Sequence, residues 1–520
     1  MIFSSKGAHM KKRLLKMLCV LLLVPALLSG CWQEELPEPE DQGLPQPEEP
    51  ESTESRVILP EVFSLPYAPD QSLDPITCPD GMQQVVSSLM YEGLFRLTPE
   101  LEPEFCLCSG YTYDAATYRY EFTLRTGVTF SDGTPLTASD VKASLDRARK
   151  SDRYAQRLSQ VTSVSVVSDG VVAVTLSAPN SAFPALMDIP IIKAGTSDST
   201  APVGTGPYLF SASEAGTHLV ANQSWWQGDG QPTDRIALVE AADLDTMLYR
   251  FTSHDVQLVT ADLTGTSPIS ATGNVVYQDA NTTILQYVGC NVTRAPLDSA
   301  TFRQLLWKGI NRSNVVSAFL SGHGSAAQFP ISPVSSLYPA DLEERFSHDD
   351  FTSGLAATGY TADRTLTLLV NSENDFKVSV ANYLAETFTA NGVPVTVQAL
   401  SWEEYAAALA AGEFDLYYGE VKLTADWDLS SLLGTGGALN YGGWADERTD
   451  QLLTSFAAST DRAAAASTLC SYLKAQAPIL PVCFKSTSVL MQNNVLEGLT
   501  PTMAEPFYNL FSCTIHLRED

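Results

Sequence analysis

The sequence predicts an α/β protein, and two stretches carry that prediction. Between 365 and 421, short apolar strands alternate with amphipathic helices, the rhythm of a parallel, doubly wound sheet. Between 117 and 176, a strand of strict polar–apolar alternation is followed by a turn, a capped helix and a strand pair.

Taken in order, the elements are justified as follows. In Thr117–Arg125, Tyr118, Tyr120, Phe122 and Leu124 alternate with Arg119, Glu121 and Thr123, which predicts a half-buried strand. Ser131 to Pro135 reads SDGTP, a turn in which Asp and Gly supply the bend and Pro fixes the exit. Thr137 then caps a helix with Asp140 at its third position, a capping box, and Val141, Leu145 and Ala148 form its apolar stripe. Val164–Val167 and Val171–Leu176 read as the strand pair. Residues 202–208, PVGTGPY, contain a Gly-x-Gly, but Pro207 follows directly and no Lys stands nearby. That predicts a tight turn into a strand at Tyr208–Phe210 and not a phosphate loop.

Thr365–Val370 is the first strand of the later run. Phe376, Val380, Tyr383, Leu384 and Phe388 mark a helix that ends at Asn391-Gly392. Val395–Leu400 is the second strand, and Ser401 with Glu404 boxes the start of a helix that runs to Ala411 and closes at Gly412. Asp415–Val421 is the third strand. Ligands of such sheets sit beyond the carboxyl ends of the strands. The loop Leu423–Leu433 is therefore expected to face a ligand, and it carries Asp426, Trp427 and Asp428.

Composition bounds the rest. The 520 residues are 44% hydrophobic, 18% charged and 9% aromatic, which fits a globular chain with a prior of about three domains. Lys plus Arg number 31 against 60 Asp plus Glu, a formal charge of −29. Such a surface repels phosphate backbones, so no nucleic-acid partner is expected.

The N-terminus reads as an export signal over residues 1–30. Lys11, Lys12, Arg13 and Lys16 precede an apolar run, Met17 to Leu28, too short to span a bilayer comfortably. Met1 to His9 fits no part of such a signal, which leaves Met10 as an alternative start. Leu28-Ser29-Gly30-Cys31 resembles a bacterial lipobox, which implies a lipid thioether on Cys31 and a membrane anchor. Residues 31–56 read as an acidic, Pro-rich tether: positions 32–56 hold nine acidic residues and five prolines. No second long apolar stretch follows, so the body is expected to be soluble and outside the cell. Loss of the five basic groups of residues 1–30 leaves 26 against 60, or −34.

Nine cysteines are present; Cys19 leaves with the signal and Cys31 is the lipid site. The other seven are an odd number at unhelpful spacings and read as small buried apolar residues. The six histidines are scattered, and neither HExxH, GxSxG nor a Cys/His cluster occurs. Asp426 and Asp428 read as solvated side chains before an acid/base pair. No catalytic residue, metal ligand or cofactor is expected, and no enzyme.

Several motifs stand in a specific order: Ser72-Leu73-Asp74-Pro75, Tyr91-Glu92-Gly93-Leu94, Phe130 to Pro135, Asp140-Val141, and the 202–208 turn. Asn291 to Arg303, Ile310-Asn311-Arg312, Trp402, Gly412 to Asp415 and Ala477 to Pro481 follow. In these, residues 57–515 resemble the bacterial extracellular solute-binding proteins of family 5, the peptide- and nickel-binding partners of ABC importers. The resemblance implies a periplasmic-binding-protein-like α/β fold of two lobes with a hinge plus an extra inserted α/β domain. Lobe I would be 57–79, 200–287 and 485–520; the inserted domain II would be 80–199; lobe III would be 288–484. The hinge would lie at Tyr287–Asn291 and Pro481–Lys485.

The implied function is capture of peptides between closing lobes and delivery to the permease subunits of an ABC importer, by a monomer. Alternatives are the same fold binding an oligosaccharide or a nickel or other metal chelate, or an orphan sensor or scaffold with no transported ligand. By resemblance Asp426 would pair with a peptide's amino terminus, with Asp428 as competitor. Trp402 would line side-chain pockets. Tyr417 or Tyr418 falls where peptide binders carry a basic group, and Trp427, Tyr441 and Trp444 would line the same cleft. The segment Pro79 to Met82, with Gly81 at its centre, would pair its backbone with an extended peptide. The Arg groups that clamp a ligand carboxylate in some relatives have no counterpart: Leu409 and Tyr418 stand there.

Overall fold

A computed structural model describes residues 59–518, apart from 79–80, 215, 229 and 266–273. The signal, Cys31 and the tether lie outside the described residues.

The run from 365 to 421 folds as its pattern predicts. Leu366–Asn371 lies between Val395–Leu400 and Leu416–Lys422, parallel to both. Parallel neighbours need crossovers, and the helices Asp375–Ala390 and Trp402–Ala411 supply them. The Ser401–Glu404 capping box forms, and Gly412 ends its helix at φ +66°, which Gly adopts without strain. Leu366, Leu368, Val380, Leu384 and Phe388 are buried in one core with Val288 and Leu480.

That sheet continues antiparallel into two long strands, Val275–Cys290 and Ile479–Gln492, and ends on Leu258–Ala261. Each long strand changes partner along its length. Leu258–Ala261 pairs with Ser488–Met491, whereas Leu416–Lys422 pairs with Ile284–Cys290. Irregularities between Asn281 and Leu285, and between Gln286 and Tyr287, lie close to that change. Bulges of this kind bend a ladder without ending it. Tyr287 and Pro481, the start of each expected crossing, face each other directly in the ladder.

The stretch from 108 to 176 forms a separate antiparallel sheet of four strands, Cys108–Asp114, Arg119–Leu124, Val171–Leu176 and Val161–Ser168, in that order. Its strand starts at Arg119 because Tyr118 turns the chain at φ +52°. Tyr120, Phe122 and Leu124 are buried as the alternation requires, and the helix Ala138–Ala148 covers them with Val141 and Leu145. The capping box of Thr137 and Asp140 is present.

A third core gathers Phe63, Leu65, Tyr208, Leu219, Ile236, Val489 and Phe507 around the strands Ser64–Tyr67, Arg235–Glu240, Gly216–Ala221 and Tyr208–Ser213. The 202–208 turn is tight for a steric reason. A Cβ on Gly204 would lie 2.2 Å from the Met90 carbonyl oxygen, and one on Gly206 2.5 Å from the Met90 carbonyl carbon. All seven cysteines of the body are buried.

Candidate functional site

A cavity of about 610 Å³ is lined by Tyr154 and Leu186 of the 108–176 core, by Val85, Tyr91 and Val489 of the core around Phe63, and by Leu423 of a further core that holds Trp427 and Phe484. One wall is the helix Gly81–Ser88, a second comes from Arg153–Gln160 and Leu186–Pro190, and a third from Val421 through Asp428. The third wall lies at the carboxyl end of Leu416–Lys422, where the alternating pattern placed it.

Trp427 shapes that wall from behind. Its ring is buried, edge-on to Phe484 with centroids 5.8 Å apart, and its backbone is left-handed at φ +58°. A bulky residue holds that conformation only where packing enforces it, at a cost of roughly 1–3 kcal/mol. Its N–H closes a turn onto the Thr424 carbonyl at 2.9 Å. The turn brings Asp426 and Asp428, on either side of the Trp, to the cavity.

The two carboxylates differ. Asp426 is buried, and its oxygens accept from the Thr424 hydroxyl at 2.5 Å, the Asn180 amide at 2.7 Å and the Asp428 N–H at 3.4 Å. These donors are neutral. Burial outweighs them and raises the Asp426 carboxyl above its ordinary range. Asp428 accepts from the Ser430 N–H at 2.9 Å, at the start of the short helix Ser430–Leu433. Asp428, and not Asp426, therefore serves that helix.

Asn180 and its neighbours tie two walls together. Ser181 donates from its N–H to the Ala457 carbonyl at 2.8 Å and from its hydroxyl to the Ser459 carbonyl at 2.6 Å. Arg462 donates to the Asp426 carbonyl at 2.5 Å. Farther along, Ser335 and Ser336 donate to Glu102 at 3.2 and 2.8 Å.

Other charges on the wall were not legible as a set. Arg157 pairs with Asp188, and burial pulls the guanidinium down to about 10. Burial, then Arg153 and Arg157, holds the Lys422 ammonium below its usual range. Glu505 is pushed up to about 7, first by burial. Only Lys422 had a signal, its position at the end of the third strand; the others arrive from distant parts of the chain.

The expected aromatic residues stand elsewhere. Trp402 is 58% exposed, beside Tyr405 at 6.0 Å. Tyr418 is buried and donates to Gln286 at 2.8 Å. Tyr441 packs edge-on against Tyr417 at 6.0 Å, and Trp444 donates to the Thr449 hydroxyl at 3.1 Å. The aromatic rings on the cavity wall are Tyr91 and Tyr154 instead. Gly81 does line the cavity, but it opens a helix, so an extended backbone at Gly81–Met82 is not what forms. The physical reason is the spacing of Met82, Val85, Val86 and Leu89, which puts one apolar stripe on a helix face. Pro79 and Asp80 lie outside the described residues.

Residues 102–439 match the family model for bacterial extracellular solute-binding proteins, family 5 middle. The chain belongs to the bacterial extracellular solute-binding proteins of family 5, the binding components of ABC importers and not enzymes. It is 26% identical over 389 residues to the glutathione-binding protein GsiB of Salmonella typhimurium, covering 70% of this chain and 76% of that one. The Escherichia coli protein of the same name is 25% identical over the same shares. Among solved structures, the unliganded MppA periplasmic murein tripeptide binding protein superposes with a TM-score of 0.74 at 18% identity, covering 88% of this chain and 98% of that one. HbpA2 from Haemophilus parasuis superposes at 0.73 with 21% identity, covering 88% and 99%. These structures establish the periplasmic-binding-protein fold. Among the described residues no helix is long and apolar enough to cross a membrane.

Proposed function

We propose that the chain captures peptides between two closing lobes and hands them to the permease of an ABC importer, as a monomer held at the outer face of the membrane by lipid on Cys31. One observation carries the reading: a cavity walled by three separate parts of the chain has a buried carboxylate, Asp426, and a second, Asp428, on its wall. A peptide ammonium taken from water requires such a partner, because an unpaired buried charge is costly. Relatives named for glutathione, itself a tripeptide, support the ligand class.

In this reading lobe I is 57–79, 200–287 and 485–520, domain II is 80–199 and lobe III is 288–484. The bulged ladder of the two long strands bends, and the Asn180–Asp426 and Glu102–Ser336 contacts form on closure. Asp426 or Asp428 takes the ammonium. Trp427 acts through the turn it fixes, while Trp402, Tyr418, Tyr441 and Trp444 contribute from outside this cavity.

A thermal-shift panel tests the reading: di- to octapeptides, oligosaccharides, and nickel with and without His. Ligand at a hundred times Kd adds about 2.7 kcal/mol of stability, which is read as a rise in melting temperature. The expected result is a shift with peptides alone, abolished by blocking the amino terminus. A shift with sugars or nickel alone sinks the peptide assignment. With no shift at all, mass spectrometry of the denatured protein decides: a copurified peptide supports the reading, and an empty protein overturns it in favour of an orphan sensor.

A further inference from the structure

We propose that Lys485 is a staple across the hinge: it holds one carboxylate from each lobe and so sets the balance between the closed and open forms of the protein. The inference rests on the closing-lobes reading and adds to it the residue that governs the motion.

The first observation is where the lysine sits. In the ladder of the two long strands, Ser486 faces Asn281 and Phe484 faces Leu285. Lys485 alone therefore stands opposite three residues, Thr282, Thr283 and Ile284, at a bulge that bends the ladder. On one side of the bulge, the strand Leu258–Ala261 pairs as far as Ala261 with Ser488. On the other, Leu416–Lys422 pairs as far as Lys422 with Ile284. The ladders of lobe I and lobe III thus stop on either side of this one residue.

The second observation is what the lysine holds. Its side chain is 2% exposed, and its Nζ lies 2.6 Å from Asp262 and 3.5 Å from Glu420. Asp262 directly follows the strand Leu258–Ala261 of lobe I, and Glu420 is on Leu416–Lys422 of lobe III. Each acid is fixed within its own lobe: Asp262 accepts from the Thr264 N–H at 3.0 Å, and Glu420 is paired with Lys377 at 3.4 Å. One ammonium touches both only while the two ladders keep this angle. Rotation of the lobes about the bulge carries the acids in different directions and breaks a contact. Stability does not account for the charge. The neighbours Val482, Cys483 and Phe484 are buried and uncharged, and an apolar residue in place of a buried ion pair is often no less stable. What the lysine adds is a preferred angle.

The bulge also reaches the cavity. The Thr282 hydroxyl donates to the Lys485 carbonyl at 2.6 Å. Its neighbour Thr283 donates from its hydroxyl to the Leu423 carbonyl at 2.6 Å, and its carbonyl accepts from the Leu423 N–H at 3.0 Å. Thr283 and Leu423 line the cavity, and Leu423 opens the loop that carries Asp426 and Asp428. The angle at the bulge is thereby tied to the wall that meets the ligand. Domain II and lobe III touch in this arrangement, through Asn180–Asp426 and Ser181–Ser459, so the staple is made with the mouth closed.

Double electron–electron resonance on the full chain without ligand tests the proposal. Spin labels on p-acetylphenylalanine at Ser177 of domain II and Ser455 of lobe III, both exposed, report the width of the mouth. Lys485→Met leaves Glu420 with Lys377 and Gln286, and leaves Asp262, 43% exposed, to water, so no buried charge is stranded. The variant is expected to populate a longer separation roughly fivefold or more above the wild type. The di- to octapeptides of the panel above are expected to restore the short one. Asp146→Asn, which breaks a surface pair with Lys142, should change nothing. If Lys485→Met melts early, Asp262→Asn carries the same comparison. Equal distributions in the wild type and both hinge variants overturn the staple. Peptide that still shortens the separation would then leave the closing-lobes reading standing, and no response to peptide either would overturn both.

Discussion

Glu505 is a carboxyl placed where its charge is poorly tolerated. It lines the cavity on the segment 502–506, whose backbone is fixed by reciprocal hydrogen bonds between Thr502 and Glu505. The cation that acts on it, Arg96, is already paired with Glu104 at 2.8 Å and lies over the Tyr508 ring. Glu92 and Glu104 add repulsion, and burial is the largest effect, so the carboxyl is pushed from 4.5 up to about 7. A carboxyl raised in the folded state favours folding when protonated. Its contribution is complete below pH 4.5, declines as pH rises and is gone above about 7. The displacement from 4.5 to about 7 corresponds to roughly 3 kcal/mol in all, of which about 2 kcal/mol falls between pH 5.5 and 8. Glu505→Gln stays neutral throughout. Urea unfolding of both proteins at pH 5.5 and pH 8, followed by tryptophan fluorescence, is the assay. The variant should gain on the wild type by about 2 kcal/mol between the two pH values. A stability difference that does not change with pH would refute the reasoning.

Two further substitutions probe the frame around the cavity. Gly204→Ala puts a methyl 2.2 Å from the Met90 carbonyl oxygen; a loss of about 1–3 kcal/mol or more is expected, seen as a lower melting temperature. Asn180→Ala removes a donor from the buried Asp426 carboxylate and should cost about 1–3 kcal/mol in urea unfolding. An unchanged midpoint there would mean that the contact is not held in solution.

Local rules made much of the fold readable. The Thr137–Asp140 and Ser401–Glu404 boxes, the αL glycine at 412 and the alternation of Tyr120, Phe122 and Leu124 are short-range features whose physics is complete within a few residues. The parallel arrangement of Leu366–Asn371, Val395–Leu400 and Leu416–Lys422 followed because helices of that length leave few other connections. The loop expected over Leu423–Leu433 was located by the same argument, although its last four residues form the short helix Ser430–Leu433.

The aromatic residues illustrate the converse. Trp402, Tyr418, Tyr441 and Trp444 share a composition suited to a binding cleft, yet whether a ring faces a cavity or a core depends on what packs over it. Tyr418 is turned inward by Gln286, which lies 132 positions away, and Trp402 is left outside. Gly81 sits in a helix because its neighbours place an apolar stripe against a core assembled from the far end of the chain.

From its own residues the chain determined the strands of 117–176 and 365–421, their helix caps, the tight 202–208 turn and the position of the Asp426–Trp427–Asp428 loop, because each depends on backbone geometry and neighbours close in sequence. Tertiary structure alone decided which charges share the cavity. Arg153, Asp188, Lys422 and Glu505 come from four separate segments of the chain, and the electrostatic effects on the cavity's charges exist only once those segments have packed around one space.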